Sequence, residues 1–111
     1  MQDIIIVCAG SYGREVYWCL QENNRIAKEK GKEPINNILG FLSDVDVDLE
    51  HYGIHERVLG RINDWVPREN EKYALGLGKP KDKKKLAEML KPRGMDFINV
   101  VSDWANISPD I

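Results

Sequence analysis

The stretch IIIVCAGSYGREVYWCL, residues 4–20, determines the predicted fold because it joins a strand, a small-residue turn and a helix. Residues 3–8 contain a continuous apolar run, which is typical of a strand that is buried on both faces of a parallel sheet. Residues 12–30 carry apolar side chains at helical spacing, which predicts a helix. Gly31 follows them, and glycine commonly ends a helix. A buried strand that leads directly into a helix indicates an α/β fold.

The rest of the chain repeats this alternation. Further strands are predicted at residues 37–42, 57–59, 72–77 and 97–101, a short helix at 62–66, and a second long helix from Pro80 towards Gly94. Because parallel strands need helical crossovers, the alternation predicts a small Rossmann-like, doubly wound parallel sheet of four to five strands. Ligands of such sheets bind beyond the carboxyl ends of the strands, here at loops 9–13, 43–53 and 78–81.

Composition limits the classes of function. A chain of 111 residues is long enough for one small domain, and its 42% apolar and 31% charged residues are ordinary for a soluble globular protein. The net charge of −2 argues against a role dominated by nucleic-acid binding. Neither a membrane span nor a signal peptide is predicted, so we expect a cytoplasmic protein in which Cys8 and Cys19 are reduced and buried.

The loop CAGSYG is the strongest candidate for a ligand site. Gly10 and Gly13 follow a strand and begin a helix. Backbone N–H groups and the helix dipole favour an anion there, and glycine lets the backbone approach a phosphate closely. The dinucleotide fingerprint has an earlier glycine, and Cys8 stands in its place. Two interpretations stay open: contact with a nucleotide or sugar nucleotide, or a turn that needs Gly10 for its dihedrals and Gly13 for close packing.

Acidic residues follow the second predicted strand. Asp44 lies where dinucleotide-binding domains place an acid that holds ribose hydroxyls, and it suits a dinucleotide and a uridine nucleotide equally. Asp46 and Asp48 are predicted to be solvated. A calcium loop is excluded, because Leu49 and His55 stand where that loop needs glycine and glutamate. No metal site is predicted.

A lysine run at residues 79–85 opens the second long helix. Most of it is predicted to be a solvated face. Lys79 and Lys81 are nearest to the end of the preceding strand, where they can reach a diphosphate as point charges. No catalytic residue is predicted, because neither cysteine has an identifiable base beside it.

Five segments together resemble a known family. IIIVCAGSYGREV, ILGFLSDVD, VLGRINDW, YALGLGKPKDKKKL and FINVVSDWANISPDI are similar, in order and spacing, to the N-terminal domain of bacterial sugar O- and N-acyltransferases. These are the sialic acid O-acetyltransferase-like enzymes of polysaccharide and glycan biosynthesis. The resemblance covers essentially the whole chain. It implies a Rossmann-like domain over residues 1–101 that binds a UDP-sugar, and the start of a left-handed β-helix of hexapeptide repeats over 102–111.

The resemblance also implies a set of substrate-binding residues. It matches the family's glycine loop, the acid after the second strand and the glycine loop after the fourth strand to Gly10, Ser11, Tyr12, Gly13, Asp44, Gly78 and Lys79. The family's first glycine is Cys8 here. Family members often have aspartate or asparagine, and a few residues later arginine, where this chain has Lys79 and Lys83.

In that family the β-helix forms the trimer, binds acetyl-CoA between subunits and carries the catalytic histidine. We therefore expect a homotrimeric, acetyl-CoA-dependent full-length protein. The 111-residue chain alone is expected to bind no cofactor, to be inactive and to self-associate through residues 102–111. Two other classes stay open: an NAD-type dinucleotide-binding or regulatory domain, and a structural module without a ligand.

Overall fold

The computed structural model describes residues 1–100, which form one parallel sheet with a helix on each face. The elements in chain order are β1 (Gln2–Val7), α1 (Ser11–Glu29), β2 (Asn36–Leu42), β3 (Val58–Gly60), β4 (Glu71–Leu75), α2 (Pro80–Leu90) and β5 (Asp96–Ile98). Two short 3-10 helices lie at Leu49–Tyr52 and Lys91–Arg93. The strand order is β3-β2-β1-β4-β5 and every pair is parallel. The predicted α/β class and parallel sheet are confirmed, with five strands.

The central strand explains the apolar run at the start of the chain. Successive side chains of a strand point to opposite faces of the sheet. Ile4 and Ile6 pack on the face that α1 covers, while Ile5 and Val7 pack on the face that α2 covers. All four side chains are fully buried. The run is continuous rather than alternating because both faces of β1 are covered.

The two helices lie on opposite faces because their crossovers run in opposite directions. The chain passes from β1 through α1 to β2 on one side, and from β4 through α2 to β5 on the other. Right-handed crossovers in opposite directions place their helices on opposite faces. The direction in which strands are added to the sheet therefore reverses between β1 and β4, and we call this position the strand switch. The loops that follow these two strands, residues 8–10 and 76–79, leave the carboxyl edge of the sheet side by side.

The helix predicted at residues 62–66 is wrong, because the chain forms a turn there. Ile62 is buried, and its N–H donates to Oδ1 of Asp44 at 3.0 Å. Trp65 donates its Nε1–H to the hydroxyl of Tyr73 at 3.0 Å. Such a short helix gains few backbone hydrogen bonds against the cost of nucleation. Contacts with distant residues therefore decide the conformation of this segment.

The other element boundaries differ from the predicted ones by one to three residues, mostly within the usual uncertainty of helix and strand ends. The last strand ends at Ile98 rather than at residue 101. Residues 101–111 lie outside the described part of the chain, and with them the predicted β-helix coil and the self-association through residues 102–111. Within residues 1–100, no helix is long and apolar enough to cross a membrane.

A chain of polar contacts leads from the surface to the buried amino end of β4. The hydroxyl of Tyr73 donates to Oε1 of Glu71 at 2.9 Å and accepts the Nε1–H of Trp65. Oε2 of Glu71 lies 2.8 Å from Nη2 of Arg68. Burial is the main cause that raises the pKa of Tyr73, so its hydroxyl stays a neutral donor. The chain of contacts gives each buried polar group a partner, as a stable interior requires.

Candidate functional site

The loop from β1 to α1 carries a strained backbone at the position of the missing glycine. Cys8 has a φ of 83°, in the left-handed region that glycine adopts at little cost and other residues avoid. Gly10 has a φ of −73°, which any residue adopts. The interpretation that Gly10 is needed for its dihedrals is therefore wrong. The backbone that suits a first glycine is present, and a cysteine occupies it.

Gly13 is required by packing. A Cβ atom at Gly13 would lie 2.0 Å from the carbonyl oxygen of Cys8, and a Cβ atom at Gly76 would lie 2.5 Å from Cα of Gly13. Neither contact is possible without a shift of the backbone. The two glycines allow the first turn of α1 to lie directly on the loops that follow β1 and β4. The close-packing role expected for Gly13 agrees with this geometry.

Gly10 differs from Gly13 because nothing in the described fold requires it. A Cβ atom at Gly10 would meet no atom within 4 Å, and the residue is exposed. Gly10 is the N-cap of α1, and no side chain caps this helix. The N-cap of α2, Lys79, makes no side-chain cap hydrogen bond either. The first N–H groups of an α-helix have no partner within the helix, so both helices begin with donors available to a ligand.

The strain at Cys8 gives a stability prediction. Cys8→Gly and Cys8→Ala both remove the thiol and differ only in Cβ, which is unfavourable at this φ. We expect the glycine variant to be more stable than the alanine variant by about 1 kcal/mol, the reverse of the usual order. Urea unfolding of the two variants measures the difference. A more stable alanine variant would show that residue 8 does not adopt a left-handed conformation.

Tyr12 joins the loop after β1 to the loop after β4. A Cβ atom at Gly78 would lie 2.1 Å from Cε2 of Tyr12, so the tyrosine ring rests on Gly78. Tyr12 is still 54% exposed, and Lys79 beside it is exposed as well. The two loops at the strand switch thus bring together six of the seven predicted substrate residues: Gly10, Ser11, Tyr12, Gly13, Gly78 and Lys79.

The seventh predicted residue, Asp44, lies on the other side of Gly10. A cavity of about 210 Å³ separates the loops after β1 and β2, lined by Cys8, Ala9, Gly10, Ser43, Asp44, Val45 and Ile62. Oδ1 of Asp44 accepts the N–H of Ile62, so this exposed carboxylate also fixes the turn after β3. A second cavity of about 230 Å³ shares Ser43, Asp44 and Val45 with the first and extends to β3.

Cys8 lines the first cavity as a protonated thiol. Burial, and to a lesser extent the negative charge of Asp44, raises the pKa of Cys8. The thiolate is the nucleophilic form of cysteine. At neutral pH this thiol is therefore a weak nucleophile. Its position in the cavity wall suits a part in shaping the cavity rather than in attacking a substrate.

Arg14 is a residue of this site that the sequence reasoning missed. Its Nη1 donates to the carbonyl oxygen of Ala9 at 3.1 Å, and its guanidinium carbon lies 3.8 Å from the centroid of the Tyr52 ring. Arg14 thus ties the 43–53 loop to the first turn of α1. A positive charge is unfavourable beside the N-terminus of a helix. An arginine in the first turn of a predicted helix is visible in the sequence. Because the helix dipole disfavours it there, it indicates that Arg14 makes contacts outside the helix.

Neither a metal-binding cluster among residues 1–100 nor a match to a known protein identifies what the site holds. Among residues 1–100, no group of at least three histidine, cysteine, aspartate or glutamate side chains is arranged to hold a metal ion. A scan against models of protein families and a search of curated proteins gave no match to this chain. The fold is an α/β fold consistent with a small Rossmann-like domain, and its candidate site lies at the switch in strand order.

Proposed function

We propose that this protein binds a nucleotide sugar, and that it belongs to the sugar O- and N-acyltransferase family that its sequence resembles. Gly10 is the observation that carries the proposal. Neither its φ nor its neighbours require a glycine, and open space lies above it at the uncapped start of α1. Close approach of a phosphate to the backbone is a physical reason for a glycine at such a position.

The charges around Gly10 support a diphosphate as the bound group. The uncapped N-termini of α1 and α2 both open at the strand switch, and each supplies a partial positive charge. Arg14 lies in the first turn of α1, and Lys79 immediately precedes α2. A diphosphate between the two helices would contact backbone donors on both sides, with Lys79 acting as a point charge.

The size of the cavities beside Asp44 favours binding of a single nucleoside over binding of a dinucleotide. Their volumes, about 210 and 230 Å³, are below the roughly 300–1,000 Å³ of typical ligand pockets. They have room for the nucleoside part of a ligand, and the sugar would lie on open surface. Asp44 lines both cavities, and a carboxylate that accepts one hydrogen bond has lone pairs left for ribose hydroxyls.

The resemblance supplies the rest of the proposed role. Residues 102–111 would begin a β-helix of hexapeptide repeats that forms a trimer, binds acetyl-CoA and carries the catalytic histidine. The described domain would hold the UDP-sugar whose sugar group receives the acetyl group. The protein would act in the cytoplasm, in the synthesis of polysaccharides or other glycans.

Calorimetric titration of the whole chain with UDP-N-acetylglucosamine and with NAD tests this function. We expect the UDP-sugar to bind more tightly than NAD. Gly10→Ala is expected to weaken its binding about tenfold or more, because the added methyl group occupies the space of the phosphate. Its melting temperature without ligand should fall by no more than a few degrees, because alanine is a weaker N-cap than glycine. Tighter binding of NAD, or equal affinity of the variant for the UDP-sugar, would contradict the proposed function.

A further inference from the structure

A groove lies beside β5 and the two residues that follow it, and neither Gly10 nor Asp44 lines it. Its volume is about 560 Å³, the largest among the cavities described above. Apolar side chains of both helices, of β4 and β5 and of the segment after β5 line it, namely Val16, Leu75, Ala87, Phe97, Ile98 and Val100. Within residues 1–100, β5 pairs with β4 alone, so its other edge has no neighbouring strand.

The rim of this β5 groove is positively charged. Lys83, Lys84 and Lys91 of the α2 region line it together with the apolar residues. None of the three forms an ion pair with another residue of the described chain. The protein as a whole has a net charge of −2, so this concentration of unpaired positive charge is local. An occupant of the groove must therefore satisfy an apolar floor and a basic rim.

We propose that the β5 groove binds an extended segment of a partner protein in which acidic and apolar residues alternate. An exposed strand edge offers backbone donors and acceptors that an extended peptide can pair with. Side chains of an extended peptide point alternately to opposite sides. One set would enter the apolar floor, and the other set would reach the lysines.

Two other occupants fit less well. Nucleic acid would match the lysines, but its phosphates and sugars would leave the apolar floor uncovered. A second copy of this chain placed symmetrically would bring two lysine rims together, which costs free energy through like-charge repulsion. The acidic, apolar peptide satisfies both parts of the groove. This inference does not depend on the nucleotide-sugar site, because the β5 groove shares none of its predicted residues.

The test uses the whole chain and a fluorescent, N-acetylated ten-residue peptide of alternating glutamate and valine, with fluorescence anisotropy as the readout. Lys83→Glu with Lys84→Glu should weaken binding about tenfold or more, because it replaces attraction at the rim with repulsion. Lys81→Glu with Lys85→Glu is the matched control, since it makes the same change of charge on the same helix outside the groove. It should weaken binding less than about threefold. Both doubly substituted chains should keep the cooperative thermal unfolding of the wild type, which shows that the fold is intact.

Several results would overturn this inference. One is an equal loss of affinity in the two doubly substituted chains, which would indicate charge attraction without a groove. Another is that the same peptide with glutamine in place of glutamate binds equally well. A third is tighter binding of a ten-nucleotide single-stranded DNA. The last is a set of nuclear Overhauser contacts between Trp104 and Phe97 in the free chain, which would assign the groove to this chain's own residues.

Discussion

Gly13→Ala is expected to lower the free energy of unfolding by about 3 kcal/mol or more, at the upper end of the cost of overpacking. The new Cβ atom would lie 2.0 Å from the carbonyl oxygen of Cys8. That oxygen belongs to the backbone, so no change of rotamer relieves the contact. Either α1 moves away from the sheet or the loop after β1 is displaced. Urea unfolding measures the loss as a lower midpoint.

Gly10→Ala is the matched control for this prediction. It makes the same substitution in the same loop, where the added Cβ meets nothing within 4 Å. We expect a loss of at most about 1 kcal/mol, because alanine is a weaker N-cap than glycine but disturbs no packing contact. Similar losses for the two variants would mean that α1 does not approach the loop as closely as described. The pair therefore separates a glycine required by packing from one available to a ligand.

Glu71→Ala is expected to cost about 2–3 kcal/mol, because it removes charged hydrogen bonds inside the protein. Glu71 is only 6% exposed, accepts the hydroxyl of Tyr73 and pairs with Arg68. Arg68 is largely exposed, so most of the loss should come from the Tyr73 side. The alanine variant leaves the hydroxyl of Tyr73 without its buried acceptor. Urea unfolding of the single variants and of the double variant with Tyr73→Phe measures the coupling between the two residues.

The coupling should be at least about 1 kcal/mol, because the two side chains share one buried hydrogen bond. Lys72→Ala is the control in the same strand. Lys72 pairs with Asp96 at the surface, and loss of such a pair costs less than about 1 kcal/mol. Additive effects of Glu71→Ala and Tyr73→Phe, or a larger cost for Lys72→Ala, would show that the buried contact contributes little.

The sequence was sufficient to place the strands along the chain because the signals for a strand are local. The apolar run of β1 and the turn residues between elements depend only on neighbours in the chain. Residues 62–66 were mispredicted because their conformation depends on Asp44 and Tyr73, which are distant in the sequence. The strand order also follows from pairings that no local pattern contains.

The glycine loop was predicted at the right place, but the separate roles of its glycines were not. A glycine can be required by a close contact, or it can leave open space for a ligand. Which of the two holds depends on the atoms that face the glycine in the folded protein, and the sequence does not show them. The left-handed φ of Cys8 could not be predicted either, because cysteine disfavours it. Gly76 was overlooked beside Gly78. Its contact with Gly13 exists only once β4 lies next to β1.

The most direct test of the nucleotide-sugar site is a titration of the ¹⁵N-labelled whole chain with UDP, followed by the backbone amide resonances. Binding at the strand switch predicts the largest shifts at the amides of Ser11, Tyr12, Gly13, Gly78 and Lys79, with smaller shifts around Asp44. Those shifts should be much smaller in Gly10→Ala at the same subsaturating UDP concentration. Spectra without change at millimolar UDP, or shifts confined to the β5 groove, would contradict the proposed site.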